Sequence, residues 1–241
     1  MQGGLARGWQ YVGGNNYQSD RSAQTNTHAS LVAAAAVGSE LTWTVVPKGT
    51  ERRIGIDRDV DNVFDRDELD LGADPADPQS FPGSSGTAFC LGDGNGTDCP
   101  CAYHPPTSAR AGCVNSLGQG ATLSATGGAS LAADTLDLHG ALMPNSTALY
   151  LQGTQRENSG CGTVLYDGLL CVGGSIVRLG SRTNAGGASS FPGGVGASVS
   201  VRGEVVAPGT RQYQVWYRNA ASLCAPGTAN LSNGWEVTWA P

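Results

Sequence analysis

Short runs in which apolar and polar residues alternate recur along the second half of the chain and predict β-strands. In "QYQVWYR" the alternation places Tyr213, Val215 and Tyr217 on one face and Trp216 on the other. Glycine pairs that suit tight turns separate many of these runs. We therefore predict a mainly β fold, an antiparallel β-sandwich or jelly roll, over residues 81–241. The other sets that share a face are Leu136 with Leu138, Leu149 with Leu151, Val199 with Val201 and Val205, and Trp235 with Val237 and Trp239, of which the last set is predicted to be buried.

The first part of the chain predicts a small region of strands and one helix. "GWQYVGG" has the composition of a short strand. "SLVAAAAVG" predicts a short helix, with Ser30 as its N-cap and Gly38 at its C-terminal end. Together with the hairpin described next, these elements form the predicted N-terminal domain, residues 1–80.

A β-hairpin is predicted to lead into the acidic segment of the chain. "ELTWTVV" alternates, with Leu41, Trp43 and Val45 on one face. "PKGT" then turns the chain, and "ERRIGI" returns as the second strand with Ile54 and Ile56 inward. Further along, "DPADPQSFPGSSGT" is rich in Pro, Ser and Gly and is the predicted boundary between the two domains.

The distribution of charge excludes one class of function. Charged residues are only 14% of the chain, and residues 1–80 carry a net charge of −5 against −1 for residues 81–241. No basic patch of the kind that binds nucleic acid is visible, so we expect no nucleic-acid partner. No run of 18 apolar residues occurs, so we expect no membrane span. The start of the chain lacks the apolar core of a signal peptide, which suggests a processed protein or a segment of a longer one.

The seven cysteines predict disulfide bonds and an extracellular location. Four of them are clustered, but their spacing, C-x8-C-x-C-x11-C, is not that of paired zinc knuckles, so disulfides are favoured over zinc. We expect the clustered cysteines to pair among themselves, in any of three arrangements, and Cys171 to pair with Cys224. Cys161 is then the odd thiol, either exposed and able to link to another chain or buried and inert; the alternative is that Cys161 pairs with Cys171 and leaves Cys224 over. The clustered cysteines are Cys90, Cys99, Cys101 and Cys113.

The acidic segment "GIDRDVDNVFDRDELDLG", residues 55–72, predicts a calcium site. Nine of the chain's twenty acidic residues lie between Asp57 and Asp77, and their charges repel one another unless a cation lies among them. A twelve-residue calcium loop that starts at Asp57 has an oxygen donor at every required position, which a solvated acidic linker does not require. The predicted ligands are Asp57, Asp59, Asp61, Val63 through its backbone carbonyl, Asp65 and Glu68.

Two other positions of this loop agree with the calcium interpretation. Asn62 replaces the usual glycine at the sharp turn, and asparagine tolerates the left-handed backbone conformation well. Phe64 is apolar and would anchor the loop to a small core. A second polar loop, "GDGNGTDC", offers Asp93, Asn95 and Asp98 as ligands, but such a string is more typical of a glycine-rich turn.

The acidic loop resembles the EF-hand-like loops of dockerin modules and of type 3 thrombospondin repeats. "DRDVDNVFDRDELDLGADPADP" is especially similar to the single calcium loops that join domains in large secreted bacterial proteins. The resemblance implies the ion only. Dockerins that bind cohesin carry two loops, and one is visible here, so no cohesin partner is implied. The pattern from "FCLGDGNGTDCPC" to "NLSNGWEVTW" resembles a C-terminal module of such proteins and implies a β-rich extracellular domain.

The sequence contains no recognisable catalytic motif. Neither H-E-x-x-H nor G-x-S-x-G occurs, and Asp137 with His139 is more typical of a solvated strand face than of a catalytic pair. We therefore predict that the protein is not an enzyme.

Of the aromatic residues that could stack on a sugar, only Trp216 is predicted to lie opposite its core-facing neighbours. Asn95, Asn145 and Asn230 begin sequons that permit glycosylation.

Taken together, the patterns predict an extracellular, calcium-binding structural or adhesive module of a surface or secreted bacterial protein, with a glycan or protein ligand. One alternative is a self-assembling subunit of an extracellular filament, in which the first forty residues add a strand to a neighbour's sheet. The other alternative is a carbohydrate-binding module of a secreted enzyme.

Overall fold

The computed structural model divides the chain into two compact units, Met1–Gly83 and Ser84–Pro241. The division falls in the Pro-, Ser- and Gly-rich segment that was predicted as the domain boundary, although residues 78–82 and 84 of that segment lie outside the described residues. The structure describes residues 7–71, 73–77, 83, 85–221, 223–224 and 227–241.

The N-terminal unit contains a three-stranded antiparallel sheet. Its strands are β1 (Trp9–Gly13), β2 (Asn16–Ser19) and β3 (Thr25–Thr27), in the order β1-β2-β3. The turn between β1 and β2 places Gly14 and Asn15 in the left-handed region, with φ of 57° and 63°. Two such residues match the twist of a hairpin, and glycine and asparagine are the residues that adopt this conformation most readily.

Helix α1 (His28–Ala34) begins three residues earlier than predicted and also ends earlier. The N-cap is Thr27 rather than Ser30, because the Thr27 hydroxyl accepts a hydrogen bond from the Ser30 amide while the Ser30 hydroxyl reaches back to the Thr27 amide. This reciprocal capping box satisfies two amides that a helix start leaves open. The expected N-cap thus occupies the third helical position, and Gly38 lies beyond the helix.

The predicted hairpin before the acidic segment is wrong. Residues 40–46 have no regular secondary structure, and Glu51–Gly55 forms a short helix, α2, instead of a strand. Glu51 in the first turn and the arginines in the last turn suit the helix dipole, which explains why this segment closes local helical bonds. Ile56 is buried as expected, but Ile54 is 58% exposed. The acidic loop follows, and then helix α3 (Asp65–Asp70).

The C-terminal unit is built mainly from antiparallel strands. A six-stranded sheet has the order β12-β7-β14-β16-β4, with β15 also paired to β14, and a three-stranded sheet has the order β13-β6-β5. Two small sheets pair β8 with β11 and β9 with β10. The strands are β4 (Thr87–Phe89), β5 (Thr122–Thr126), β6 (Asp137–Ala141), β7 (Thr147–Gly153), β8 (Gln155–Arg156), β9 (Thr163–Leu165), β10 (Gly168–Leu170), β11 (Val172–Gly173), β12 (Val177–Thr183), β13 (Ser189–Phe191), β14 (Gly209–Arg218), β15 (Ala229–Leu231) and β16 (Gly234–Trp239).

The two larger sheets share one hydrophobic core, which confirms the prediction of a mainly β fold. Strands β14 and β16 bury the alternating faces that the sequence indicates, and every residue of these two faces is at most 2% exposed. In β7, Ala148 and Tyr150 enter this core, whereas Leu149 and Leu151, which the alternation places together, lie outside it. Both faces of β7 contain buried residues, since every residue from Tyr150 to Gly153 is buried, so alternation alone does not identify the core side. The confirmed core faces are Tyr213, Val215, Tyr217, Trp235, Val237 and Trp239.

The strand predicted for "ASVSVRGEVV" is also wrong, because the segment contains a single helical turn, α4 (Val199–Arg202). The Ser200 amide donates to Asp134 Oδ2 at 2.7 Å, which satisfies one of the amides left open at the helix start. Val199 and Val205 are buried, whereas Val201 is 66% exposed. The helical turn therefore separates valines that a strand would have aligned.

Three disulfide bonds join distant parts of the C-terminal unit. They are Cys90–Cys171, Cys99–Cys113 and Cys101–Cys224. The expectation that the clustered cysteines pair among themselves is wrong except for Cys99–Cys113, and the Cys171–Cys224 pair is wrong. Cys90 lies at the end of β4 and packs in one buried cluster with Cys171, so the sheets bring together cysteines that are 81 residues apart. Cys161 is free and exposed, as predicted.

Buried polar side chains complete the hydrogen bonding of the core. Asn233 accepts from the Leu123 amide at 2.7 Å and donates to the Leu123 carbonyl at 3.1 Å, so its amide replaces a missing strand partner of β5. Trp239 Nε1 donates to the Tyr213 hydroxyl at 2.8 Å, and that hydroxyl donates to Gln152 Oε1 at 3.1 Å. Because unpaired polar groups are costly in a core, these contacts fix the strands in one arrangement.

The described residues include no helix of the length and apolar character that a membrane crossing requires.

Candidate calcium site

The acidic loop lies between helices α2 and α3 and is closed by main-chain hydrogen bonds. The Asp65 amide donates to the Ile56 carbonyl at 2.9 Å, which brings the first residue of α3 next to the end of α2. Ile56 is almost completely buried and anchors the entry of the loop. Phe64, the predicted apolar anchor, is half-buried beneath the guanidinium of Arg52, 5.4 Å from its ring centre.

The backbone of the loop turns sharply at two residues. Asn62, the predicted turn position, has a φ of 81° and therefore adopts the left-handed region as expected. Val60 has a φ of 65°, which is unfavourable for a β-branched residue. Backbone strain of this kind persists where the surrounding structure requires it, often at ligand sites.

Three of the predicted ligands converge in space. Asp57, Asp59 and Asp61 each offer one carboxylate oxygen, and these oxygens lie within 4.8 Å of one another. Asp57 is fully buried, and Arg52 Nε donates to its Oδ2 atom at 2.7 Å. Arg52 is thus a positive partner for one carboxylate, but Asp57 Oδ1 has no hydrogen-bond partner.

Glu68 is a second feature, besides the converging aspartates, that favours a cation site. Its side chain is fully buried, and neither carboxylate oxygen has a hydrogen-bond partner. Asp59 Oδ2 is also buried without a partner. A buried, unpartnered carboxylate is strongly unfavourable in a folded protein, because the water it has lost is not replaced. A cation coordinated by these oxygens would remove that cost.

The carboxylates of the loop also disfavour one another's ionisation. Burial, followed by the neighbouring charge of Asp59 and then Asp61, raises the pKa of Glu68 to about 8. Burial, followed by the charge of Asp61, raises the pKa of Asp59 to about 6. The pKa of Asp61 is raised as well, again chiefly by burial. The loop therefore resists holding all its negative charges unless a positive ion offsets them.

Asp65 and Val63 are placed differently from the converging carboxylates. Asp65 Oδ1 accepts a hydrogen bond from the Arg58 amide at 2.7 Å, so this oxygen already has a partner within the loop. The Val63 amide donates to Asp61 Oδ1 at 2.7 Å, which orients the Asp61 carboxylate. The roles of Asp65 and of the Val63 carbonyl as ligands stay predictions.

Several contacts tie helix α3 to the chain segment after β2. The Arg66 amide donates to the Asp20 carbonyl at 2.9 Å, and the Ser22 amide donates to Asp67 Oδ2 at 2.8 Å. Arg21 and Arg66 both form ion pairs with Asp70. The loop is consequently linked through α3 to the sheet of the N-terminal unit.

The donor set indicates which kind of ion fits the site. Carboxylate oxygens are the ligands of hard cations such as Ca²⁺ and Mg²⁺, and no imidazole or thiol belongs to the cluster. The spacing of the acidic residues matches a twelve-residue calcium loop, and Ca²⁺ accepts the larger number of protein oxygens. The residues present therefore fit Ca²⁺ best.

The second polar loop, with Asp93, Asn95 and Asp98, has less structural support as a cation site. Asp93 accepts two hydrogen bonds from Asn95, as in a polar turn, and the side chain of Asp98 is 83% exposed. Among the described residues, the carboxylates that converge are those of Asp57, Asp59 and Asp61, and the second loop forms no such cluster.

Three further residues named from the sequence have ordinary environments. His139 Nε2 lies 2.7 Å from the hydroxyl of Thr126, while Asp137 accepts from the Gly193 amide, so each has its own partner. Trp216, the predicted sugar-stacking residue, is half-buried between its strand neighbours Leu149 and Leu231.

The sequons differ in accessibility. Asn95 and Asn145 are exposed, whereas Asn230 is fully buried and its amide nitrogen donates to the Val114 carbonyl at 3.0 Å. The sequence pattern does not identify Arg52, the half-buried partner of Asp57. The segment that contains it had been assigned to a strand, and no spacing rule links an arginine on a preceding helix to this loop.

No family model, no curated protein and no solved structure matches this chain. The likeness to dockerin and thrombospondin loops therefore stays a resemblance of one short segment.

Proposed function

We propose that the loop between α2 and α3 binds one Ca²⁺ and that the protein is an extracellular structural module stabilised by that ion. The observation that carries the proposal is the fully buried Glu68, whose two carboxylate oxygens have no hydrogen-bond partner beside three converging aspartates. Only a cation offsets this arrangement of charge without a change of fold or protonation.

The proposed ion has a structural role. Asp57, Asp59, Asp61 and Glu68 would hold it through their carboxylates, and the ion supplies the positive charge that Arg52 alone does not provide. Asp57 and Glu68 are fully buried, so protein groups enclose much of the site. By neutralising the loop, the ion would stabilise the start of α3 and, through the contacts of Arg66 and Asp67, the neighbouring sheet.

The proposed extracellular setting is supported by the disulfide bonds. Three of them join the strands and loops of the C-terminal unit, and such bonds persist in oxidising compartments. Calcium loops of extracellular modules bind with dissociation constants of roughly 10⁻⁴–10⁻³ M, which suits the calcium concentration outside cells. A single loop attached to a disulfide-bonded β unit is consistent with a structural or adhesive part of a larger surface protein.

Limited proteolysis of the full chain tests the proposal. In calcium, cleavage between residues 40 and 71 should be slow, and an excess of chelator should accelerate it. A hundredfold excess of calcium over its dissociation constant stabilises the bound form by about 2.7 kcal/mol, which corresponds to a roughly hundredfold lower population of the open form. Identical cleavage rates with calcium and with chelator would contradict the proposal.

A further inference from the structure

Residues 40–46, "ELTWTVV", have the sequence of a β-strand but no strand partner among the residues that the structure describes. Leu41, Trp43 and Val45 alternate with threonines, yet the segment forms no regular secondary structure. Within the described part of the chain, no backbone group of residues 41–46 takes part in a hydrogen bond. Val45 is 99% exposed and Trp43 is 52% exposed. A row of open amides and carbonyls with this composition is a template for pairing with another strand.

One side chain holds the segment against its own unit. The Trp43 ring stacks on His28 at 5.1 Å between centres and packs against Tyr17 at 5.2 Å. A cavity of about 800 Å³, lined by strand β1 and by the segment itself, lies beside it. The segment is therefore positioned by its aromatic contacts while its backbone remains available.

The charges at the two ends of the segment indicate its partner. Glu40 precedes the alternating residues, and Lys48, the only lysine of the chain, follows them. If two copies pair antiparallel with Thr44 opposite Thr44, then Glu40 of each copy lies opposite Lys48 of the other. The same register places Trp43 opposite Val45 on both sides of the axis. Aromatic with β-branched, threonine with threonine and opposite charges are all favourable cross-strand pairs.

We propose that residues 40–48 of two copies pair as antiparallel strands and form a two-fold symmetric dimer. The pairing is self-complementary, as a two-fold interface requires. Residues 9–13, 16–19 and 25–34, which belong to the region predicted to donate a strand, form β1, β2, β3 and α1 within the N-terminal unit. This inference rests on the unpaired segment and not on the calcium site, so either can fail without the other.

Cysteine crosslinking tests both the dimer and its register. In a Cys161→Ser background, Thr44→Cys should form a disulfide-linked dimer on mild oxidation, because opposed residues have Cβ atoms roughly 4.5–5.5 Å apart. Thr42→Cys is the matched control. In the proposed register Thr42 lies opposite Val46, so the two copies of Thr42 are about 13 Å apart along the strands. Crosslinking of Thr44→Cys alone supports the proposal; crosslinking of neither variant, of both equally, or of Thr42→Cys alone overturns it.

Charge reversal gives a second readout in the native cysteine background. Lys48→Glu should shift sedimentation from dimer toward monomer, since it places two negative side chains opposite each other at both ends. Adding Glu40→Lys should restore the dimer. Equal melting curves for both variants would show that the fold is kept. A monomeric native chain, or a double variant no more dimeric than Lys48→Glu alone, contradicts the pairing. Binding to an unrelated peptide or glycan by a monomeric chain would assign the segment to another partner.

Discussion

The carboxylates of Glu68, in the first turn of α3, and of Asp57, shortly after α2, are both fully buried. Both oxygens of Glu68 and the Oδ1 atom of Asp57 have no hydrogen-bond partner. Two negative groups in this state oppose folding of the loop, since each has lost water and gained like-charged neighbours. Under the proposed function, this relationship makes the stability of the loop depend on the bound Ca²⁺, and the predictions about the site follow from it.

Replacing Glu68 by Gln should separate the cost of the buried charge from the benefit of the ion. The variant keeps the shape but removes the negative charge, so we expect it to melt at a higher temperature than the native chain in chelator. Addition of calcium should raise the melting temperature of the variant much less than that of the native chain, because a bidentate donor is lost. Thermal unfolding followed by circular dichroism, with and without chelator, measures both effects. Asp98→Asn, at an exposed carboxylate, serves as the control and should behave like the native chain.

The calcium-free protein should lose stability as the pH rises from 5 to 8. The pKa of Glu68 is raised to about 8 and that of Asp59 to about 6 in the folded chain. A carboxyl group whose folded pKa is raised stabilises the folded state at low pH, and this contribution disappears as the pH rises through the folded pKa. Melting temperatures across this range in chelator test the expectation. A flat profile, or a rise toward pH 8, would contradict the assigned environments.

Removal of the Asn233 side chain should destabilise the C-terminal unit. Asn233→Ala leaves the amide and the carbonyl of Leu123 without their partners in the core, which we expect to cost about 2–4 kcal/mol. Urea denaturation measures the loss. Asn145→Ala, at an exposed asparagine, is the matched control and should have a smaller effect. Equal midpoints for the two variants would show that the Asn233 contacts do not support the sheets.

Peptide mapping of the unreduced protein should recover three crosslinked pairs and one free thiol. The expected pairs are Cys90–Cys171, Cys99–Cys113 and Cys101–Cys224. A thiol-specific label applied without reduction should modify Cys161, which is exposed. Recovery of Cys171–Cys224, or labelling at any other cysteine, would contradict this connectivity.

The sequence predicts the core face of β16 correctly because the opposite face of this strand is more exposed. Trp235, Val237 and Trp239 in β16 are buried, while Thr238 between them is exposed. Alternation is informative there because burial follows the period of the strand. It fails at Val199 and Val201, where a helical turn, stabilised by a distant aspartate, replaces the strand.

Most of the other wrong or missing predictions concern contacts that depend on how distant or unpredicted elements fold together. Cys90 joins Cys171 because β4 lies at the edge of a sheet assembled from distant strands, and nearness along the chain carries no information about this. The loop residues from Asp57 to Glu68 could be proposed as a set because a short motif determines their geometry locally. Arg52 could not, since its contact with Asp57 depends on a helix that the sequence pattern did not indicate.

Calcium titration of the full chain, after treatment with chelator and dialysis, tests the central claim most directly. Isothermal titration calorimetry should show one calcium ion bound per chain, with a dissociation constant no weaker than roughly 10⁻³ M. The same titration of the Glu68→Gln variant should show a strongly reduced affinity for calcium. Native protein that binds no calcium at millimolar concentrations, or binds it as well after Glu68→Gln, would contradict the assignment of this loop as a calcium site.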